Sequence, residues 1–295
     1  MRLFVLIFGL MLFLSPTAQA QEFEPGDSCA SFPAGSFATS GGPELGGTVH
    51  HLICVGSIWT AFDVGDHSCP TNGLVAWYPF EEGSGTTTAD LSGNALNGTL
   101  TNMEGDEWTT GFKGNALNFN NADDRVVVAN NALLEGLTAV TLTAWVYPTA
   151  DAPTGRGRII SKPGPVVDDD YMIAYDDNTS GSSFQDKPMM RIVNDRGLRK
   201  EADEGALKIP QNTWSLVTGV WDGSVMRLYL NTSVTSTATQ TGSTKMTGDP
   251  LTIGAHYNSL TDRNFPGRID EVKIFNRALS TNEVYQLYNE GKGCI

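Results

Sequence analysis

The sequence predicts an all-β chain of two packed sheets, on three observations. Short apolar runs with period-2 alternation recur along most of its length. Gly, Asn, Asp and Pro punctuate these runs at turn-like intervals. Only one stretch, close to the C-terminus, carries helix signals. Side chains alternate between the two faces of a strand, so many short half-apolar strands call for a two-sheet sandwich or a barrel.

At the N-terminus, Met1-Arg2 precede an apolar run from Leu3 to Leu14, followed by Ser15-Pro16 and Ala18-Gln19-Ala20. A basic residue, a short apolar segment and a small-x-small site form the pattern of a secretory signal peptide, with cleavage expected after Ala20. Twelve residues make a helix of about 18 Å, short of the ~30 Å bilayer core. The residue directly after the site is Gln21, not a lipid-accepting Cys, and no later segment has the character of a membrane span. The expectation is a signal over residues 1–20 and a secreted, periplasmic or cell-surface product that does not insert into a membrane.

The formal charge is −14, and −15 once Arg2 leaves with the signal. So acidic a chain repels phosphate backbones, which argues against nucleic acid as a partner. Four cysteines remain: Cys29, Cys54, Cys69 and Cys294. An even number in an exported chain reads as two disulfides, and the spacing does not suit a structural zinc site. Sequence allows three pairings. We expect Cys29–Cys54 and Cys69–Cys294, the second because Cys69 precedes the first sandwich strand and Cys294 follows the last element.

Residues 21–70 read as a small module rich in Gly, Ser and Pro. Its one apolar stretch, His50 to Phe62, fits two short strands turning at Val55-Gly56-Ser57. This stretch resembles the Cys-containing hairpins of bacterial surface and phage tail-associated proteins. A hairpin this small needs a staple, which Cys29–Cys54 would supply.

Residues 71–295 read as one domain. GLVAWYPF (73–80) places Leu74, Ala76, Tyr78 and Phe80 on one face, and VTLTAWVYP (140–148) does the same for Val140, Leu142, Ala144 and Val146. WSLVTGVWDG (214–223) groups Trp214, Leu216, Thr218 and Val220. MRLYLN (226–231) turns Met226, Leu228 and Leu230 inward, and LTIGA (251–255) and GRIDEVKIF (267–275) follow. Ser280-Thr281-Asn282-Glu283 is a capping box that opens a short helix ending at Gly291, with Val284, Leu287 and Tyr288 on its docking side.

The blocks GLVAWYPFEEGSGTTTADLSGNALNGTL, GNALNFNNADDRVVV, VTLTAWVYP, TWSLVTGVWDGSVMRLYLN and FPGRIDEVKIFNRALSTNEVYQLYNEG occur in the order of laminin-G-like domains. Together they span nearly all of 73–291 and resemble the concanavalin A-like lectin and glucanase superfamily. The resemblance implies an antiparallel jelly roll whose first and last strands are neighbours. It also implies calcium at the rim near Asp270, with Asp90 and, less directly, Asn94 and Asn97 as ligands. In GRIDEVKIF, Asp270 shares a side with Val272 and Ile274 and is expected to face the core with them. A second reading of the same residues is open: Asp90 and Asn94 form Asx-turns, and Asp270 pairs with an arginine. Asp123-Asp124 and Asp168 to Asp170 are weaker acidic runs.

Catalysis has no sequence support. The glucanases of the superfamily carry Glu-x-Asp-x-Glu on one strand, because retaining hydrolysis needs two carboxyls about 5 Å apart. No such run is present, and Glu104 to Glu107 has the wrong spacing. There is no nucleophile elbow and no His-Glu-x-x-His. His50 and His51 are adjacent and would face opposite sides of a strand. Ligand-binding candidates are Tyr257, Asn258, Asp262 and Arg263 in the loop from His256 to Phe265, with Tyr171 and Tyr175 next in line. The leading functional expectation is a non-catalytic carbohydrate-binding or adhesive protein with a glycan or extracellular protein as partner. The alternatives are a structural or protein-interaction module of a surface assembly and, less favoured, a glycoside-active enzyme.

Overall fold

A computed structural model describes residues 69–103, 105, 107–120, 123–151, 156–164, 169–176, 186–203, 205–257 and 263–289, with the backbone of 37–40, 50–55 and 58–62. The chain divides into two compact units, Met1–Ser68 and Cys69–Ile295. In the first, β1 (Phe37–Ser40), β2 (His50–Val55) and β3 (Ile58–Phe62) form an antiparallel sheet in that order. The β2–β3 pairing matches the two strands expected there, and β1 adds a third. The signal segment, Cys29 and Cys294 lie outside the described residues. Cys69 is disulfide-bonded.

The second unit is a sandwich of two antiparallel eight-stranded sheets. The first runs β17 (Ser233–Thr239), β16 (Val225–Leu230), β15 (Ser215–Trp221), β10 (Val140–Pro148), β19 (Gly267–Phe275), β8 (Asn115–Phe119), β7 (Trp108–Thr110). β4 (Leu74–Tyr78) pairs with the far half of β19. The second runs β14 (Arg199–Ala202), β13 (Lys187–Val193), β12 (Asp169–Asp176), β11 (Gly157–Pro163), β18 (Leu251–Ile253), β9 (Arg125–Val128), β6 (Gly98–Thr101), β5 (Thr87–Thr88).

The core lies between the sheets. Val140, Leu142, Ala144 and Val146 of β10 point into it, as alternation predicts, together with Met226, Leu228 and Leu230 of β16. Burying each large aliphatic side chain contributes about 1.5–3 kcal/mol. On β15 the expected face is the other one. Val217 and Trp221 enter the core, whereas Leu216 and Val220 pack outside with Trp214, Trp145 and Phe275. Both faces of β15 are apolar because α1 (Thr281–Asn289) covers the outer one through Val284 and Leu287. The capping box is formed: Glu283 N donates to Ser280 Oγ at 3.3 Å, and Ser280 N donates to Glu283 Oε2 at 2.8 Å.

Candidate functional site

Asp90, Asn94 and Asn97 form one knot. Asp90 Oδ1 accepts from Trp77 N at 2.9 Å and Ser92 N at 2.8 Å, and its Oδ2 accepts from Ser92 Oγ at 2.8 Å and Leu96 N at 2.9 Å. Asn97 Oδ1 accepts from Asp90 N at 3.0 Å, and Asn94 Nδ2 donates to Val75 O at 2.9 Å. The Ser92 bond is an Asx-turn. An ionised carboxylate offers about four lone-pair sites; three backbone N–H groups take three of Asp90's, and the one Ser92 hydroxyl proton is shared between Asp90 Oδ2 and Val75 O. Calcium binding through Asp90, the role the resemblance implied, would have to displace these donors. Among the described residues, no group of three or more His, Cys, Asp and Glu side chains could hold a metal ion.

Asp270 has a separate donor set and a different orientation from the one alternation predicts. Between the pairs Thr143↔Lys273 and Trp145↔Asp270, a single residue of β10 faces two of β19. The extra residue is Glu271, at φ 49°. This is a β-bulge, and it reverses which face the following residues present. Val272 and Ile274 stay in the core, while Asp270 joins Trp145 on the outer face. Its partners are backbone N–H groups, not an arginine: Oδ2 accepts from Lys113 N at 3.0 Å and Oδ1 from Glu271 N at 2.7 Å. A Cβ on Gly111 would come within 2.5 Å of Asp270 Oδ2, so only glycine lets this loop close over the carboxylate. Burial, with the nearby Glu271 charge, pushes the Asp270 carboxyl up to about 7 against the pull of those donors. Glu271 Oε2 accepts from Trp77 Nε1 at 2.9 Å and Lys273 Nζ at 3.1 Å. The bulge thus sets two carboxyls side by side, but they are 0% and 7% exposed, leaving no room for a substrate.

The loop after β18 is pinned at both ends. His256 is buried, Arg158 N donates to Arg263 O at 3.1 Å, and Phe265 meets Tyr175 edge-on at 5.9 Å. Tyr257 is exposed and Arg263 half-buried. Asn258 and Asp262 lie outside the described residues. Tyr171 and Tyr175 are core residues, both 0% exposed, and cannot meet a ligand. Their hydroxyls donate to Leu134 O at 3.0 Å and Asp186 Oδ1 at 2.7 Å.

Beside this loop, Glu201 of β14 gathers arginines. Its Oε1 lies 3.0 Å from Arg156 Nη1 and 2.7 Å from Arg191 Nη2. Under the second sheet's rim, Lys162 is fully buried, and Nζ donates to Asn130 Oδ1 at 2.7 Å, to Glu135 Oε1 at 3.3 Å and to Asp249 O.

Sequence reasoning missed an aromatic row on the outer face of the β10 sheet. Tyr147 and Trp214 have ring centroids 5.4 Å apart, and Trp214 meets Phe112 edge-on at 6.3 Å. Phe112 stacks on Trp145 at 3.5 Å, and Trp145 on Tyr288 of α1 at 5.5 Å. The Arg268 guanidinium carbon lies 5.2 Å from the Tyr147 ring centroid. The available signal was the second apolar face of the strand beginning at Trp214.

No curated protein matches the chain in sequence. Solved structures match its fold. The binding domain of Paraclostridial Mosquitocidal Protein 1 superposes with a TM-score of 0.58 at 17% identity, over 75% of this chain and 52% of that one. The receptor binding domain of botulinum neurotoxin D gives 0.55 at 16%, over 75% and 53%. The chain thus spans about half the length of these toxin domains. Domain 4 of the extracellular arabinanase from Geobacillus stearothermophilus, solved with arabinotriose, gives 0.55 at 20%, over 73% of this chain and 98% of that domain. A family model matches residues 120–285, more than half of the sequence, and the chain therefore belongs to the concanavalin A-like lectin/glucanases superfamily.

Proposed function

We propose that the protein is a secreted, non-catalytic module that binds carbohydrate. The observation that carries this reading is the correspondence with a complete arabinanase domain, 98% of which is covered, in a structure containing arabinotriose. Fold alone does not fix function, so the reading leans also on chemistry. The sequence lacks the alternating carboxylates of the superfamily's hydrolases, and half-buried aromatic rings lie on the outer sheet face. Sugars stack on such rings and hydrogen-bond to polar groups beside them. Secretion rests on the signal pattern at residues 1–20.

The test is affinity electrophoresis of the purified mature chain in gels containing soluble arabinan, arabinoxylan, galactomannan or mixed-linkage β-glucan. Retardation by at least one, with no reducing sugar released, is expected. Free migration in all four sinks the reading. A second reading, binding to a protein receptor, draws on the likeness to the receptor binding domain of botulinum neurotoxin D. A chain that ignores every polysaccharide and is retained by an extracellular protein would favour it.

A further inference from the structure

We propose that Trp214, Tyr147, Arg268 and Asn118 form a saccharide-binding subsite on the outer face of the β10 sheet. The proposal rests on the carbohydrate reading and adds to it a location and a ligand class, a neutral oligosaccharide.

The four residues are consecutive across neighbouring chain segments. Tyr147 of β10 pairs with Arg268 of β19, and Arg268 pairs with Asn118 of β8. Trp214 stands one residue before the Val146↔Ser215 pair and so continues the register opposite Tyr147. Residues directly opposite each other share a face. The row therefore crosses the sheet at right angles to its strands and covers three inter-strand steps, about 14 Å. All four side chains are half-buried: held in place, yet open to solvent.

Most of their polar atoms are uncommitted. The indole N–H groups of Trp77, Trp108 and Trp221 donate to Glu271 Oε2, Gly85 O and Gln240 O. Among the described residues, Trp214 Nε1, Tyr147 Oη and the Asn118 carboxamide have no such partner. Arg268 spends one donor, Nη1, on Thr110 O at 3.2 Å, out of the five a guanidinium carries.

Two rings, a planar fork and a carboxamide in one line match what a sugar chain offers: a C–H face for stacking and hydroxyls that both donate and accept. The packing of Trp214 against Tyr147 and Phe112 fixes these rings before a ligand arrives, which lowers the ordering cost of binding. A net charge of −14 repels polyanions, so a neutral chain suits this surface better than a polyuronate or a nucleic acid.

The test repeats the electrophoresis with Trp214→Ala, Asn118→Ala and Tyr147→Phe, and titrates arabinotriose while following tryptophan fluorescence. Trp214→Ala and Asn118→Ala are each expected to weaken binding at least tenfold with little change in Tm, and Trp214→Ala to lose the fluorescence response. If Trp214→Ala fails to fold, Asn118→Ala and Tyr147→Phe decide, since the polar atoms they remove have no hydrogen-bond partner among the described residues. Wild-type affinity in these variants, with loss in Tyr257→Ala, would overturn the subsite and leave the carbohydrate reading standing. A wild-type chain that binds none of the probes overturns both.

Discussion

Asp270 faces Trp145 across the β10–β19 ladder, on the outer side of the sheet, because Glu271 occupies one extra place in β19. That residue turns an expected core carboxylate into the anchor of the loop carrying Phe112. The left-handed conformation of Glu271 costs about 1–3 kcal/mol in a residue with a Cβ. Glycine adopts it freely. Glu271→Gly and Glu271→Ala both lose the bonds from Trp77 and Lys273, so comparing them isolates the backbone. We expect Gly to be more stable than Ala by about 1 kcal/mol in urea denaturation. The reverse order would contradict the bulge.

The bulge shows where legibility stops. Alternation located β10 and β16 because one face of each is aliphatic and the sheet partners are regular. The Ser280–Glu283 box located α1. Nothing in the letters Asp-Glu-Val announces an inserted residue, since its cause is the mismatch between two strands distant in sequence. β13 carries apolar residues on both faces, as in Met189-Met190, and a register shift in β11 puts both Ile159 and Ile160 in the core, so period 2 is erased. The knot around Asp90 was half legible: Asx-turn chemistry is local, whereas the donation from Trp77 N depends on β4 lying alongside. The Trp214–Asn118 row was not legible, because its members sit on segments far apart in the chain.

Removing the Asp90 carboxylate should destabilise the domain without any metal being involved. Asp90→Ala leaves Trp77 N, Ser92 N and Leu96 N without their acceptor, at a cost of ~1–3 kcal/mol for each that stays dry. Chelator should leave the wild-type melting temperature unchanged. Calcium-dependent stabilisation that disappears in Asp90→Asn would restore the ligand role; stabilisation that survives it would put the ion elsewhere.

Cys69 is bridged, and Cys294 is its expected partner, with Cys29–Cys54 closing the N-terminal module. Chain-entropy arguments give about 5 kcal/mol for the long loop and roughly 3–4 for the short one as upper values. Non-reducing peptide mapping should return these two linked pairs. A peptide joining Cys54 to Cys69 would refute them, and Cys69→Ser should lower the melting temperature of the sandwich by many degrees.

The last prediction concerns pH. Asp170 lies at the start of β12, 1% exposed, with Oδ1 accepting from Lys245 N at 3.0 Å and Oδ2 buried without a hydrogen-bond partner among the described residues. Burial pushes its carboxyl up to about 7, against the attraction of Lys162 and Lys245 and with the nearby Glu135 charge adding to the rise. An unfolded aspartate titrates near 3.9. Between about 4 and about 7 the folded state holds a proton that the unfolded chain has released. Asp170 therefore makes the fold less stable as pH rises through that window, and Asp270 acts in the same direction. Glu283, held near 2 chiefly by Arg277, and Glu201, held low by Arg191 and Arg156, act oppositely and lose their contribution on acidification. Stability should peak in mildly acidic solution. Asp170→Asn keeps an acceptor for Lys245 N and places an amide where the lone oxygen sits. It should raise the melting temperature at pH 8, by ~1 kcal/mol or more in stability, raise it less at pH 5, and change it little at pH 4. An equal loss at all three pH values would mean that attraction to Lys162 outweighs burial.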